Sequence, residues 1–175
     1  MTVLVTGGSK CGKSHFAEKL FESFDGRKFY AATMQPYGDE AFAAIERHRK
    51  IRSGKNFETI EKYTDIGEIT IPENSGVLLE CTANLCANEM FRDDNIADPT
   101  DKIVDAFRKL KNQTELFVIV TNDVGSDGIT YEKGTEKYIE AMGKINRYAA
   151  ELADVVVECV YGIPVFMKGE QQCIF

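Results

Sequence analysis

A glycine-rich segment near the start of the sequence has the residue types and spacing of a phosphate-binding loop. Residues 7–14 read GGSKCGKS and fit the pattern G-x-x-x-x-G-K-[ST]. Glycines let the backbone turn so that several N–H groups point at one phosphate. Lys13 would bring a mobile positive charge to the β- and γ-phosphates of a nucleotide, and the Ser14 hydroxyl could coordinate Mg²⁺. The predicted phosphate-contacting residues are Gly7, Gly8, Ser9, Lys10, Cys11, Gly12, Lys13 and Ser14.

The segments on either side of this loop fit the same interpretation. An apolar run, Val3–Thr6, precedes it and reads as a buried strand. A helical pattern with an apolar face begins near Lys13, so its positive N-terminal end would face the same phosphate. A chance glycine-rich turn is the alternative, and the strand and the helix argue against it.

A candidate acid for the metal side of this site ends another apolar run. Val77–Glu80 is expected to form a buried strand beside the first one, with the carboxylate of Glu80 at its carboxyl end. Glu80 would then face the crevice of the loop and hold Mg²⁺ from the second layer of ligands. The alternative is an acid that caps the helix opening at Thr82. No guanine-reading N-K-x-D is present, which disfavours a regulatory GTPase.

One of the two histidines lies in a strongly basic run. His48 stands in residues 44–52, AIERHRKIR. Nearby positive charge lowers the pKa of an imidazole and keeps it neutral and nucleophilic, and the same charges could hold a triphosphate. Spacing alone favours a solvated basic helix face instead. The other histidine, His15, is interpreted as a surface residue without a chemical role.

Short apolar runs alternate with helical patterns along the whole chain, as in parallel α/β sheets with right-handed crossovers. The order of the motifs favours a P-loop NTPase-like (RecA-like) fold in one domain spanning residues 1–175, with helices on both faces of the sheet. The last two strands are joined by too few residues for a crossover, so the final strand is expected to be an antiparallel edge strand. The predicted strands are Val3–Thr6, Lys28–Ala32, Val77–Glu80, Leu116–Thr121, Val155–Tyr161 and Pro164–Lys168, and the predicted helices are Lys13–Phe24, Asp39–Arg52, Thr82–Arg92, Thr100–Leu110 and Gly134–Leu152.

Composition restricts the class of partner. The 175 residues carry a formal net charge of −7, which argues against nucleic acid as the main partner. The five cysteines include no C-x-x-C pair, which is typical of free thiols in a reducing cytoplasm. No apolar run approaches the ~20 residues needed to span a bilayer, and no export signal is recognised. We therefore expect a cytoplasmic protein that binds small molecules.

The chain resembles a known family, the bifunctional adenosylcobinamide kinases and adenosylcobinamide-phosphate guanylyltransferases of cobalamin biosynthesis. The resemblance depends on motifs that occur in the family's order over about 160 residues. The matching segments are 7–14 with 16–18 (FAE), 30–33 (YAAT), 45–49 (IERHR) through Arg52, 59–61 (TIE), 78–81 (LLEC), 121–125 (TNDVG), 143–146 (GKIN) and 162–164 (GIP).

The resemblance implies a function and a set of site residues. In this family a histidine that corresponds to His48 attacks the α-phosphate of GTP, pyrophosphate leaves, and GMP passes to adenosylcobinamide-phosphate. GTP, ATP and Mg²⁺ are the implied cofactors, a corrinoid is the acceptor, and family members are trimers. Arg49, Lys50 and Arg52 could stabilise charge on the reacting phosphorus. The family's nucleotide contacts fall on residues 7–14 and on Ala32, Thr33, Met34, Arg49, Lys50, Ile51, Arg52, Glu61 and Glu80.

The chain departs from the family pattern at a few positions. It has no Trp, and Phe57 is the aromatic residue nearest to the T-x-E segment. An arginine-rich stretch expected before Gly143 is replaced by residues 136–140, EKYIE. Two other functions therefore stay open: a small-molecule P-loop kinase without a covalent step, and a nucleotide-binding regulatory module.

Overall fold

The computed structural model describes residues 1–36, 54–92 and 96–171, together with Gly38 and Glu46. The predicted helix Asp39–Arg52 lies outside the described residues except for Glu46. The predicted site residues His48, Arg49, Lys50, Ile51 and Arg52 lie outside them as well.

The described strands form one sheet of seven. The strands are β1 (Thr2–Thr6), β2 (Arg27–Ala32), β3 (Phe57–Glu61), β4 (Ser75–Leu79), β5 (Leu116–Val120), β6 (Val155–Val160) and β7 (Ile163–Lys168). Their order across the sheet is β3-β2-β4-β5-β1-β6-β7, and every neighbouring pair is parallel except β6 and β7. A mainly parallel sheet with an antiparallel edge strand is therefore confirmed.

Four α-helices are described: α1 (Lys13–Lys19), α2 (Thr82–Met90), α3 (Thr100–Gln113) and α4 (Lys133–Leu152). The first is shorter than predicted. After Lys19 the backbone N–H groups of Phe21 and Glu22 bond to carbonyls three residues earlier, at 3.1 and 3.0 Å. Such tight bonds are typical of a last turn that leaves α geometry, and they end the helix before Phe24.

Alternating side chains of the strands build two cores, one on each face of the sheet. Val3 and Val5 face α1, where they belong to one buried cluster with Phe16 and Phe21. Leu4 points the other way, into a larger cluster that contains the inner faces of α2, α3 and α4. The period of two along β1 explains this division, since successive side chains point to opposite faces. The prediction of helices on both faces is confirmed.

Two features of the sheet differ from the sequence predictions. β3 was not predicted, because its sequence, FETIE, has exposed polar residues at three of five positions and lacks a continuous apolar run. β4 was expected beside β1, but β5 lies between them. The carboxyl end of β5 therefore opens between the phosphate loop and Glu80.

The last hairpin is a tight one. Tyr161 and Gly162 connect β6 to β7, and both have positive φ, 51° and 82°. This matches the two-residue turns that favour right-handed strand twist, and it explains why the final strand runs antiparallel. Within the described ranges, none of the helices is long and apolar enough to cross a lipid bilayer.

Candidate active site

The phosphate loop leaves the carboxyl end of β1 and enters α1. Gly7 and Gly12 have φ of 136° and 101°, which side chains rarely adopt, so the backbone path requires glycine at both positions. The turn between β6 and β7 supports the loop, since Gly162 N–H donates to the Cys11 carbonyl at 2.8 Å. In the described part of the chain, no side chain caps the first turn of α1, so its first N–H groups are not used by a capping residue there.

Lys13 is folded back over the loop. Its ammonium donates to the carbonyl oxygens of Gly7 at 2.9 Å and Gly8 at 2.6 Å, and only 8% of the residue is exposed. A positive charge is thus held at the centre of the loop by neutral acceptors. A bound phosphate would offer charged oxygens to the same donors, and charge-assisted hydrogen bonds are about twice as strong as neutral ones.

A cleft of about 550 Å³ opens above the loop. The structure brings eight of the predicted residues to its walls: six residues of the phosphate loop from Ser9 to Ser14, together with Met34 and Glu80. Their contact with a nucleotide stays a prediction. The cleft is lined by Ser9, Lys10, Cys11, Gly12, Lys13, Ser14, His15, Met34, Glu80, Cys81, Val120 and Asn122.

Glu80 is buried and already accepts at least three hydrogen bonds. Tyr30 O–H donates to its Oε1 at 3.0 Å, and the backbone N–H groups of Thr33 and Met34 donate to Oε2 at 3.1 and 3.2 Å. The carboxylate therefore fixes the backbone that follows β2. With its oxygens committed in this way, Glu80 suits contact with Mg²⁺ through water better than direct coordination, and Mg²⁺ commonly keeps several waters in proteins.

Thr33 precedes the cleft residue Met34 and is fixed by hydrogen bonds. Its side chain is fully buried, its Oγ1 donates to the Cys81 carbonyl at 2.9 Å, and its own carbonyl accepts from Asn88 Nδ2 at 2.8 Å. Its polar groups are thus used within the chain. The neighbouring Ala32 is half-buried, and its carbonyl accepts from Lys62 N–H at 3.0 Å.

The structure does not bring Glu61 to the same cleft. Glu61 lies at the carboxyl end of edge strand β3 and lines a second pocket of about 630 Å³. Tyr63 O–H donates to its Oε2 at 3.3 Å, and Gln35 and Phe91 contribute to the same wall. Residues 33–35 separate the two pockets, since Met34 lines one and Gln35 the other.

Sequence reasoning assigned no role to Cys81 and Asn122, although both line the cleft. Each directly follows a predicted strand, Val77–Glu80 or Leu116–Thr121, and this position was the available signal, because carboxyl ends of parallel strands meet at one edge. Burial raises the pKa of the Cys81 thiol, so the thiol stays neutral. Among the described residues, no three His, Cys, Asp or Glu side chains group as metal ligands. Ser14 with nucleotide phosphates and water would still fit Mg²⁺.

Comparisons of the sequence with known proteins identify a family that the chain matches along most of its length. Residues 3–167 match the family model of cobinamide kinase / cobinamide phosphate guanyltransferase. The chain is similar to the bifunctional adenosylcobalamin biosynthesis protein CobU of Escherichia coli strain K12, with 31% identity over 183 aligned positions that cover 96% of this chain and 100% of that protein.

Two further relatives cover comparable lengths. The corresponding CobU of Salmonella typhimurium is 28% identical over 96% of this chain and 100% of its own length. The bifunctional adenosylcobalamin biosynthesis protein CobP of Pseudomonas aeruginosa is 24% identical over 97% of this chain and 99% of its own length. The chain therefore belongs to the cobinamide kinase / cobinamide phosphate guanyltransferase family of enzymes.

Proposed function

We propose that this enzyme phosphorylates adenosylcobinamide and then transfers GMP from GTP to adenosylcobinamide-phosphate through a GMP-histidine intermediate on His48. The products are adenosyl-GDP-cobinamide and pyrophosphate. The observation that carries the proposal is the cleft at which Lys13, Ser14 and Glu80 meet, in a chain that matches the family model over residues 3–167.

In the kinase half of the reaction, the loop binds the phosphates of ATP or GTP. Lys13 exchanges its contacts with Gly7 and Gly8 for oxygens of the β- and γ-phosphates. Ser14 and, through water, Glu80 would hold Mg²⁺, which when bound would neutralise charge on the transferred phosphoryl group. The acceptor hydroxyl of the corrinoid attacks the γ-phosphorus and gives up its proton to solvent, while the bond to the β–γ bridging oxygen breaks and the nucleoside diphosphate leaves.

In the guanylyl half, His48 acts as the nucleophile. A ring nitrogen of neutral His48 forms a bond to the α-phosphorus of GTP, and the bond to pyrophosphate breaks. An oxygen of the acceptor phosphate then displaces the imidazole. A covalent nucleophile divides one displacement into two easier ones. Arg49, Lys50 and Arg52 stabilise the charge on phosphorus, and the pocket of Glu61 binds part of the nucleotide.

The assembly and location follow the same family expectation. We propose a homotrimer in the cytoplasm, acting on small molecules and not on nucleic acid. Sedimentation of a monomer at micromolar concentration would contradict the trimer.

Intact-mass measurement after incubation with GTP and Mg²⁺ tests the function. The expected result is a gain of one GMP on the protein, lost again when adenosylcobinamide-phosphate is added. Incubation with GDP is the matched control, because GDP cannot release pyrophosphate. Phosphorylation of adenosylcobinamide without an adduct would support a plain kinase instead, and nucleotide binding without either reaction would support a regulatory module.

A further inference from the structure

Asn122 follows β5, from which it is separated by Thr121. The strand order places this end of β5 in the middle of the candidate site. Because β5 lies between β1 and β4, its carboxyl end lies between the phosphate loop and Glu80. Asn122 lines the cleft together with Lys13, Ser14 and Glu80. It therefore faces the space that the terminal phosphates of a loop-bound nucleotide would occupy.

The backbone at this point is held by a second asparagine. Asn146 on α4 accepts a hydrogen bond from Thr121 Oγ1 at 2.6 Å and donates from Nδ2 to the Asn122 carbonyl at 3.1 Å. Its neighbour Ile145 is fully buried in the core, so α4 offers a rigid support. Both the oxygen and the nitrogen of the Asn146 side-chain amide thus form hydrogen bonds that fix the backbone at the end of β5.

The side chain of Asn122 remains available for a ligand. Among the described residues, the partner of its Nδ2 is the Cys81 sulfur at 3.9 Å, a long contact to a weak acceptor. A neutral amide donor held rigidly at the edge of a phosphate site can stabilise charge that develops on a phosphoryl oxygen.

We propose that Asn122 is a further catalytic residue of the kinase half-reaction, donating a hydrogen bond from Nδ2 to the phosphoryl group in transit, and that Asn146 is its positioning residue. This inference depends on the proposed function. Lys13 supplies charge to the phosphates before and during transfer, whereas Asn122 supplies a directed, neutral donor from the end of β5.

The test compares Asn122→Ala with the wild type in phosphoryl transfer from ATP to adenosylcobinamide. Removing one preorganised donor lowers kcat by roughly 10²–10³-fold in comparable sites. We expect a fall of that order, with the Kd for MgADP unchanged within about threefold. Asn112→Ala, on an exposed position of α3, is the matched control and should behave like the wild type. Equal losses in MgADP affinity and kcat, or an unchanged kcat, would overturn the proposal.

A second arm needs no acceptor. MgADP with aluminium fluoride mimics the phosphoryl group in transit, and we expect Asn122→Ala to lose the extra thermal stabilisation that this mixture gives over MgADP alone. Retained extra stabilisation would overturn the role of Asn122. A wild type that shows this stabilisation but transfers no phosphate to adenosylcobinamide would contradict the proposed function instead.

The role of Asn146 is tested by a double-mutant cycle. Asn146→Ala should lower kcat in the wild type but cause little further loss in the Asn122→Ala background, since both changes act on one interaction. Additive losses would show that Asn146 acts on stability and not through Asn122.

Discussion

Gly7 and Cys159 are packed backbone to backbone at the base of the phosphate loop. A Cβ added at Gly7 would lie 2.6 Å from the Cys159 carbonyl oxygen and 2.9 Å from the Cys11 sulfur. The carbonyl belongs to β6 and cannot move away without disturbing the sheet. The phosphate loop can therefore pack this closely against β6 only because residue 7 is glycine.

Gly7→Ala is therefore expected to destabilise the protein. The added Cβ would collide with the Cys159 carbonyl oxygen, and alanine would be strained at the positive φ of this position. Gly→Ala changes at positions whose backbone conformation alanine cannot adopt destabilise a protein by more than ~1 kcal/mol. For a chain of this size we expect the Tm to fall by at least about 2–4 °C. Gly8→Ala is the matched control for stability, because no atom lies within 4 Å of its added Cβ. Equal Tm values for the two variants, measured by thermal unfolding, would contradict this account.

Lys13→Ala is expected to lower nucleotide affinity and to abolish phosphoryl transfer. The change removes the charge now held over Gly7 and Gly8 and placed for the β- and γ-phosphates. Titration with ATP and GTP and a transfer assay measure the two effects. Lys19→Ala, on an exposed position of the same helix, should leave both unchanged. Near-normal binding and turnover in Lys13→Ala would place the working phosphate site elsewhere.

Glu80→Gln is expected to leave the fold intact but to weaken Mg²⁺-dependent turnover. Glutamine has nearly the same volume as glutamate, but one of its two oxygens is replaced by an NH₂ group. This NH₂ group would face an N–H or O–H group that now donates a hydrogen bond to the carboxylate, so two donors would meet. Hydrogen bonds to a charged group contribute about 1.5–3 kcal/mol, so the backbone at Met34 should loosen. A Mg²⁺ titration of the transfer rate, with the Tm measured in parallel, tests this. An unchanged Mg²⁺ dependence would assign the metal contact to another residue.

The ion pairs of Asp65 are expected to make the stability of the protein depend on pH. Hydrogen bonding to Lys102, opposed by partial burial and assisted by Arg92, lowers the pKa of Asp65 from 3.8 to about 2. Because the folded-state pKa is depressed, the stabilisation is present above about pH 4 and is lost as the pH falls towards 2. Asn tolerates the positive φ of this position, 54°, so Asp65→Asn isolates the charge.

The difference between wild type and Asp65→Asn is best measured by urea unfolding. We expect about 1 kcal/mol above pH 5, since the partners are half exposed, and a smaller difference at pH 2.5. Asp105→Asn removes an exposed pair with Arg108 and should change the stability little at either pH. A difference that grows on acidification would show that the sign assigned to Asp65 is wrong.

The phosphate loop could be predicted from sequence because its function and its backbone impose the same residues. Gly12 is needed for a φ of 101°, and Lys13 and Ser14 for the ligand. Glu80 was predicted to face the loop and does line the cleft, but its strand was expected next to β1. Strand order depends on which crossovers pack, and no local pattern records that β5 lies between β1 and β4. Asn122 was missed for the same reason. β3 was missed because an edge strand with polar positions does not produce a buried-strand pattern.

The covalent step gives the sharpest prediction. His48→Ala should lose both the GMP adduct and guanylyl transfer, while phosphorylation of adenosylcobinamide survives, since its phosphate loop is unchanged. A protonated imidazole cannot attack, so adduct formation should fall at acidic pH. The adduct should be labile in acid and stable in base, as a phosphorus–nitrogen bond is and a serine ester is not. His15→Ala is the matched control, because His15 is exposed on α1 at the edge of the cleft, and it should label like the wild type. Labelled GMP on His15 or Cys11, or on no residue, would exclude the mechanism assigned to His48 and leave the plain kinase as the better account.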